Sequence, residues 1–260
     1  LSGVDLTTAD FEIGAIVQDR WMRDVARRVH TERVSVGDST QLETRTWRLD
    51  LPPDQYLLRL EARQAATQRA ARSLTAIGVE RFGAGPLALS DVVLADRIAP
   101  RDSDPQRWTD FLIDPSAGRV GHGARISFLW ELYNLTGDSA GFGRYRVDLE
   151  IAVRAIERHG FTARIVGGLA DAAGMTVLGD TLVGLMADLV RRRARSERAA
   201  DVRGREAIPN HLDVELRDAP DGQYTATVMV TDLRTGTVAR RQREFVVTAT
   251  PGDAPPRVRE

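Results

Sequence analysis

The chain has 260 residues, enough for two modest cores, since one core is usually filled by about 100 to 150 residues. Its formal charge is −1 at pH 7 and all 36 basic residues are arginine, so no field of one sign draws it to nucleic acid or an anionic membrane. It holds no cysteine, which excludes disulfides and thiolate metal centres.

The chain opens at Leu1 with no charged-then-apolar leader and reads as a processed or trimmed product. Asp10 to Gln18 and Asp24 to Val36 predict a hairpin around Asp19-Arg20-Trp21, and Leu42 to Leu51 follows. Pro52-Pro53-Asp54-Gln55-Tyr56 is a turn opening a strand, with Tyr56, Leu58, Leu60 and Ala62 alternating against Leu57, Arg59, Glu61 and Arg63. Its return strand is Ala70 to Val79, and Leu87 to Leu94 is a further short strand. Ala99 to Pro105 is polar and flanked by proline, the strongest linker signal in the chain. Arg125 to Leu135 places Ile126, Phe128, Trp130 and Leu132 on one face. The glycine-rich stretch Gly137 to Gly143 joins it to Arg144 to Arg154, where Tyr145, Val147, Leu149, Ile151 and Val153 point inward.

From Asp180, Leu182, Leu185, Met186, Leu189 and Val190 recur at helical spacing. Arg191 to Arg195 ends the run with the charge that suits a helix C-terminus, so the pattern predicts a helix near 180–197. Asp171, Asp180 and Asp188 interrupt the apolar run, so no transmembrane span is expected. Pro220-Asp221-Gly222-Gln223-Tyr224 then repeats the earlier turn. Tyr224, Ala226, Val228 and Val230 lie on one face, Asp232 to Gly236 turns the chain, and Val238 to Val247 returns. Gln223-Tyr224 lies 168 residues (223 less 55) after Gln55-Tyr56. A period this long indicates two related domains and not a solenoid. Tyrosine after such a turn resembles the tyrosine corner of immunoglobulin-type sandwiches, where the hydroxyl ties down the preceding loop. Pro251 to Glu260 reads as a charged flexible tail.

No reactive constellation emerges. His30, His122, His159 and His211 are scattered without a companion at ligand spacing, so no metal site is expected. A Walker loop, a dinucleotide fingerprint and a nucleophile elbow are all missing, and Gly121-His122-Gly123 reads as a turn. Asn134-Leu135-Thr136 matches the glycosylation sequon, a pattern short enough to occur by chance. Trp21, Trp47 and Trp108 could stack on sugars if coplanar and exposed, whereas Trp130 reads as core.

Four ordered blocks carry a family resemblance: Leu87 to Asp96, Ile113-Asp114-Pro115-Ser116, Phe128 to Leu135, and the Pro-Asp-Gly-Gln-Tyr hairpin. Together they resemble the C-terminal β region of bacterial GWxTD-motif proteins, over about Asp10 to Val247. The Gly-Trp-x-Thr-Asp signature is absent, and Arg107-Trp108-Thr109-Asp110 is only a superficial echo of it. The resemblance implies an exported protein of the periplasm or cell envelope and carries over no reaction and no functional residue.

The sequence thus predicts a mainly β protein of two immunoglobulin-like β-sandwich domains, at 1–99 and 108–250, with a linker at 100–107, a helical insertion in the second domain and a tail at 251–260. The expected function is a non-catalytic protein–protein interaction module or structural accessory subunit of a larger envelope or membrane-associated assembly. A carbohydrate-binding module, or ancillary domains of an exported enzyme, are the alternatives. The expected partners are other protein subunits, with no nucleic acid and no cofactor. The expected docking face is Leu182, Leu185, Met186 and Leu189, with the Gly137 to Gly143 loop second.

Overall fold

The computed structural model describes residues 7–36, 46–156, 192–216 and 219–248. The chain forms two units that divide after Arg81, not at 100–107. Residues 82–99, expected in the first domain, are part of the second. The reason is hydrogen bonding: the Pro-flanked stretch is a tight connection between two paired strands, and Arg101 N donates to Asp110 O at 2.8 Å across it.

The first unit holds β1 (Thr7–Gln18), β2 (Asp24–Val36), β3 (Gln55–Gln64) and β4 (Ala70–Gly78). They form one antiparallel sheet in the order β2-β1-β3-β4. The predicted first hairpin and both strands of the first copy are therefore present. Where a sandwich was expected, the described residues of this unit contain a single sheet. A partial second layer begins with Trp47, which meets His30 edge-on with ring centroids 5.5 Å apart. Trp47, Leu49 and Leu51 are half-buried and alternate with exposed Thr46, Arg48 and Asp50.

The second unit has two sheets packed face to face. One contains β5 (Ala88–Leu89), β6 (Val93–Pro100), β7 (Phe111–Pro115), β9 (Arg125–Tyr133) and β12 (Ile208–Glu215), ordered β12-β9-β6-β7 with β5 also paired to β9. The other runs β11 (Arg192–Asp201), β10 (Phe142–Ile156), β13 (Gly222–Asp232), β14 (Val238–Thr248) and β8 (Arg119–Gly121), with β8 parallel to β14. Ile126, Phe128, Trp130 and Leu132 of β9 meet the inward residues of β10, β13 and β14 in one continuous core, as their period-2 spacing predicts. The other face of β9 is buried as well, because Leu129 packs with Ala95, Ile98 and Phe111.

The two copies agree strand by strand. Residues of β3 and β4 reappear 168 positions later with the same pairing: Tyr56 faces Ile77 as Tyr224 faces Phe245, and Gln55 faces Gly78 as Gln223 faces Val246. Phe11 of β1 faces Gln64 as Tyr145 of β10 faces Asp232, and Phe11 faces Glu32 of β2 as Tyr145 faces Arg198 of β11. The turns match too. Gln68 N donates to Gln64 O and Gly236 N to Asp232 O, with Gln68 and Gly236 both at positive φ, 57° and 75°. The sheet β2-β1-β3-β4 is thus the counterpart of β11-β10-β13-β14. The offset changes along the chain because residues 157–191 stand between β10 and β11, where the first copy has only the turn Asp19 to Arg23.

Both tyrosines make the corner. Tyr56 donates its hydroxyl to Pro52 O at 2.7 Å and Tyr224 to Pro220 O at 2.8 Å. Replacing Tyr224 with Phe leaves a carbonyl short of its donor and is expected to cost about 1 kcal/mol in urea unfolding. The Tyr56→Phe exchange is expected to act on the first unit by a similar amount.

The predicted helix fares differently. Leu182, Leu185, Met186 and Leu189 lie outside the described residues, but the helix cannot reach 197, since Arg192–Asp201 is strand β11. The arginines read as a helix end instead answer the acids of β10: Arg193 Nε donates to Glu150 at 2.9 Å, and Arg195 pairs with Asp148. Cross-strand charge pairing decides the conformation there.

Candidate functional site

Three places in the described residues bring chemistry-bearing or exposed groups together. The first is the face of the first unit's sheet that carries Phe11, Ile13, Ala15 and Val17 of β1 and Tyr56, Leu58, Leu60 and Ala62 of β3. Each has a counterpart in the core of the second unit, and the counterparts are closed over by β9. Leu60 is 40% exposed while its counterpart Val228 is 0% exposed. Phe11, Ile13, Leu58 and Ala62 are only half-buried, whereas Tyr145, Val147, Ala226 and Val230 are fully buried. The same sheet plan is closed in one unit and partly open in the other.

The second place is a cavity of about 530 Å³ in the second unit, bordered by Phe82, Arg107, Tyr133, Arg205 and Glu206 among others. Glu131, 2% exposed, sits beside it on the face of β9 turned away from the main core. Its carboxylate accepts Arg107 Nε at 3.0 Å, Trp108 N at 2.8 Å and the Tyr133 hydroxyl at 2.5 Å. The Tyr133 ring stacks on Phe82 with centroids 4.3 Å apart. Burial, and then the carboxylate it donates to, hold the Tyr133 hydroxyl far above the usual phenol range. The hydrogen bond to Glu131 likewise keeps Arg107 firmly cationic. Arg107 also reaches Glu206 at 2.9 Å, and Arg205 holds Asp104 at 2.8 Å. Two guanidinium groups thus face three carboxylates, and the bonds to Glu131 clasp the Arg107–Asp110 turn to β9.

The third is a pair. His122 Nε2 lies 2.6 Å from Asp221 Oδ1, joining the turn after β8 to the tyrosine-corner loop. Sequence reading set these two residues in separate turns. The fold makes them neighbours because both turns lie at one end of the sandwich, where β8 pairs with β14 and β14 with β13. Both side chains are exposed, and among the described residues no hydroxyl nucleophile bonds to this histidine. His211 instead meets the Phe111 ring edge-on at 5.6 Å. Among the described residues no three of His, Cys, Asp and Glu converge as metal ligands, and no helix is long and apolar enough to cross a membrane.

Within the first unit, Trp21 and Trp47 make no common platform. Trp21 is 58% exposed at the β1–β2 tip, with the Arg20 and Arg23 guanidinium groups 4.0 and 4.8 Å from its ring. Asp19 fixes that tip by accepting Trp21 N, Arg23 N and Arg23 Nε. Trp47 lies against His30 at the level of Ile13, five residues down the strand and so roughly 17 Å from Gln18. Trp108 packs beside Phe111 and Leu129 in the second unit. The loop from Gly137 to Gly143 is a tied turn, in which Asp138 Oδ1 accepts Ala140 N and Phe142 N, both at 2.9 Å.

Acid stability follows from carboxylates held by hydrogen bonds. Burial pushes the Asp232 carboxyl up, but hydrogen bonds from Arg234 N, Thr136 and Thr235 N outweigh it and hold the group below its ordinary value of 3.8. Asp213 is held low in the same sense against its own burial, by Ser127 and Arg125. A carboxylate with a depressed folded pKa contributes stability that is complete above its unfolded value and lost as pH falls through the folded one. The second unit is therefore expected to unfold at constant urea concentration from neutral pH down to about pH 5, and at falling concentration below about pH 4. The Asp232→Asn exchange is expected to flatten that acid limb.

No family model matches the chain, and no curated protein matches it. Among solved structures, it is similar to Bacteroides uniformis β-glucuronidase at 11% identity and a TM-score of 0.27, over 92% of this chain and 24% of that one. A calcium-binding mutant of Bacteroides uniformis β-glucuronidase 2 gives 10% identity, the same coverage and a TM-score of 0.27. The chain spans about a quarter of the length of these structures. Likeness at this level carries no functional argument.

Proposed function

We propose that this chain is a non-catalytic interaction or structural subunit, built on the immunoglobulin-type sandwich plan and docking through its first unit. The observation that carries this reading is the partly open apolar face around Leu60, whose counterpart around Val228 is sealed by β9. A sheet whose inner face is apolar stabilises itself by covering that face, at about 25 cal/mol for each Å² removed from water. The chemistry it fits is a partner's apolar strand or hairpin laid across the sheet. The tyrosine corner in both copies supports the immunoglobulin-type assignment. The resemblance to exported GWxTD-motif proteins supports placing the partner in a bacterial envelope assembly.

The test is co-purification of the tagged chain from its native cell, comparing three forms. Leu60→Asp is expected to lose a bound protein that the unchanged chain retains. Val29→Asp, on the opposite face of the same sheet, is expected to keep it. Circular dichroism confirms that both variants fold. A partner retained by Leu60→Asp contradicts the docking face.

A further inference from the structure

We propose that strand β4 is the seam of a homodimer, in which two copies of the chain pair β4 with β4 antiparallel about Leu74. This rests on the edge of the first sheet and not on its apolar face, so it extends the reading above without depending on it.

The edges of the described sheets are guarded, with one exception. A strand at a sheet edge presents unpaired N–H and C=O groups, and natural proteins protect such edges with charge, proline, shortness or a covering strand. Strand β2 carries Arg27, Arg28, Glu32 and Arg33, and β11 carries Arg193, Arg195 and Glu197. Strand β12 contains Pro209, Asp213 and Glu215, and β7 has five residues with Asp114 and Pro115. Strand β4 has nine residues, eight of them exposed, and a single charge at Arg72.

The internal repeat makes the contrast sharper. Strand β14, the counterpart of β4, carries Arg240, Arg241, Arg243 and Glu244, and its C-terminal end is covered by β8. At the four positions matching those charges, β4 has Arg72, Ser73, Thr75 and Ala76. It also has Leu74, 53% exposed, in place of Gln242. Three of four guarding charges are missing, and among the described residues no strand stands where β8 stands.

A second copy fits this edge. Arg69 O accepts Gln64 N, and Val79 N donates to Asp54 O, so odd-numbered residues bond toward β3 and even-numbered ones point outward. Pairing about Leu74, the midpoint of β4, sets the outward residues in register along the whole strand. Ala70 then meets Gly78 of the second copy, Arg72 meets Ala76, and Leu74 meets Leu74. On the other face Ser73 lies opposite Thr75 and Ala71 opposite Ile77. No like charges oppose each other, whereas parallel in-register pairing would set Arg72 against Arg72. The result is a two-fold seam, the commonest arrangement among oligomers, and a continuous sheet of eight strands. An edge seam buries less than about 1,200 Å², so the dimer is expected to dissociate in the micromolar range.

Sedimentation velocity of the purified chain across about 1 to 200 µM tests this, a range set to bracket that weak affinity. The expected result is a dimer that grows with concentration. Ala76→Lys sets a second cation against Arg72 of the other copy and is expected to weaken association at least tenfold, about 1.4 kcal/mol. Adding Arg72→Glu to it is expected to restore the dimer. Leu74→Lys supplies a second break at the centre. Because the chain has no cysteine, a Leu74→Cys form carries one thiol, and a short bifunctional thiol reagent is expected to join two chains. A monomer at every concentration overturns the proposal. So does a dimer indifferent to Ala76→Lys and Leu74→Lys. A dimer abolished by Leu60→Asp alone would instead place the seam on the apolar face.

Discussion

Replacing Trp130 with Ala is expected to cost the second unit about 4 kcal/mol, the largest effect of any single exchange considered for this chain. Trp130 is 1% exposed and sits midway along β9, where its indole fills the space between the two sheets. Deleting it removes the transfer free energy of a large apolar group and leaves a cavity that two hydrogen-bonded sheets cannot collapse to fill. The same side chain has one liability. Its buried Nε1 finds no acceptor among the described residues. A buried N–H without a partner costs about 1–3 kcal/mol, so Trp130→Phe trades some lost volume against the removal of that penalty. That exchange is expected to cost less than about 1.5 kcal/mol. Urea unfolding distinguishes the two variants, and equal losses would mean that packing between the sheets does not dominate this core.

Replacing Glu131 with Ala is expected to cost about 3 kcal/mol. Its carboxylate is the shared acceptor for Arg107, Trp108 N and Tyr133, and the three lose different amounts when it goes. The Arg107 side chain is half-exposed and can be rehydrated, so its share is small. The Trp108 amide and the Tyr133 hydroxyl are held against the wall of β9, and each is left short of its acceptor at about 1–2 kcal/mol. Tyr133→Phe in the Glu131→Ala background removes one of those stranded donors and is expected to recover about 1 kcal/mol. Glu131→Gln keeps an acceptor, and is expected to fall between the unchanged chain and Glu131→Ala.

The β architecture was legible where side chains alternate over a two-sided environment. The strands around Tyr56 and Tyr224 were placed to within two residues, because each has an apolar face, a wetter face and a turn signal at both ends. The glycine at 236 announced its turn, and Gln68 takes the same positive φ in the first copy without any glycine to mark it. The repeat was visible in one hairpin and extends over four strands. Its β1–β10 half was hidden because only the alternation of apolar residues and the strand pairing are shared there, not residue identity, and because the offset shifts across residues 157–191.

What sequence reading misplaced has local causes. The stretch Ala99 to Pro105 has linker composition, yet tertiary hydrogen bonds fold it back between β6 and β7. The arginines at 192–195 suit a helix end, yet the acids of β10 draw them into a sheet. Glu131 carried no signal, since a glutamate between Trp130 and Leu132 reads as the wet side of a strand. Only the fold shows that the Arg107–Asp110 turn covers it. His122 and Asp221 likewise needed the topology to become neighbours, with 99 residues between them.

The central claim is that one sheet plan is sealed in the second unit and partly open around Leu60 in the first. Thiol reactivity at matched positions tests it most directly, because the chain has no cysteine of its own. Leu60→Cys and Val228→Cys occupy equivalent sites on β3 and β13. The open face predicts that the first thiol reacts with an aromatic disulfide reagent at close to its rate in urea. It predicts that the second is protected at least a hundredfold in the folded chain, a barrier difference of about 2.7 kcal/mol. Equal protection at both positions would contradict it.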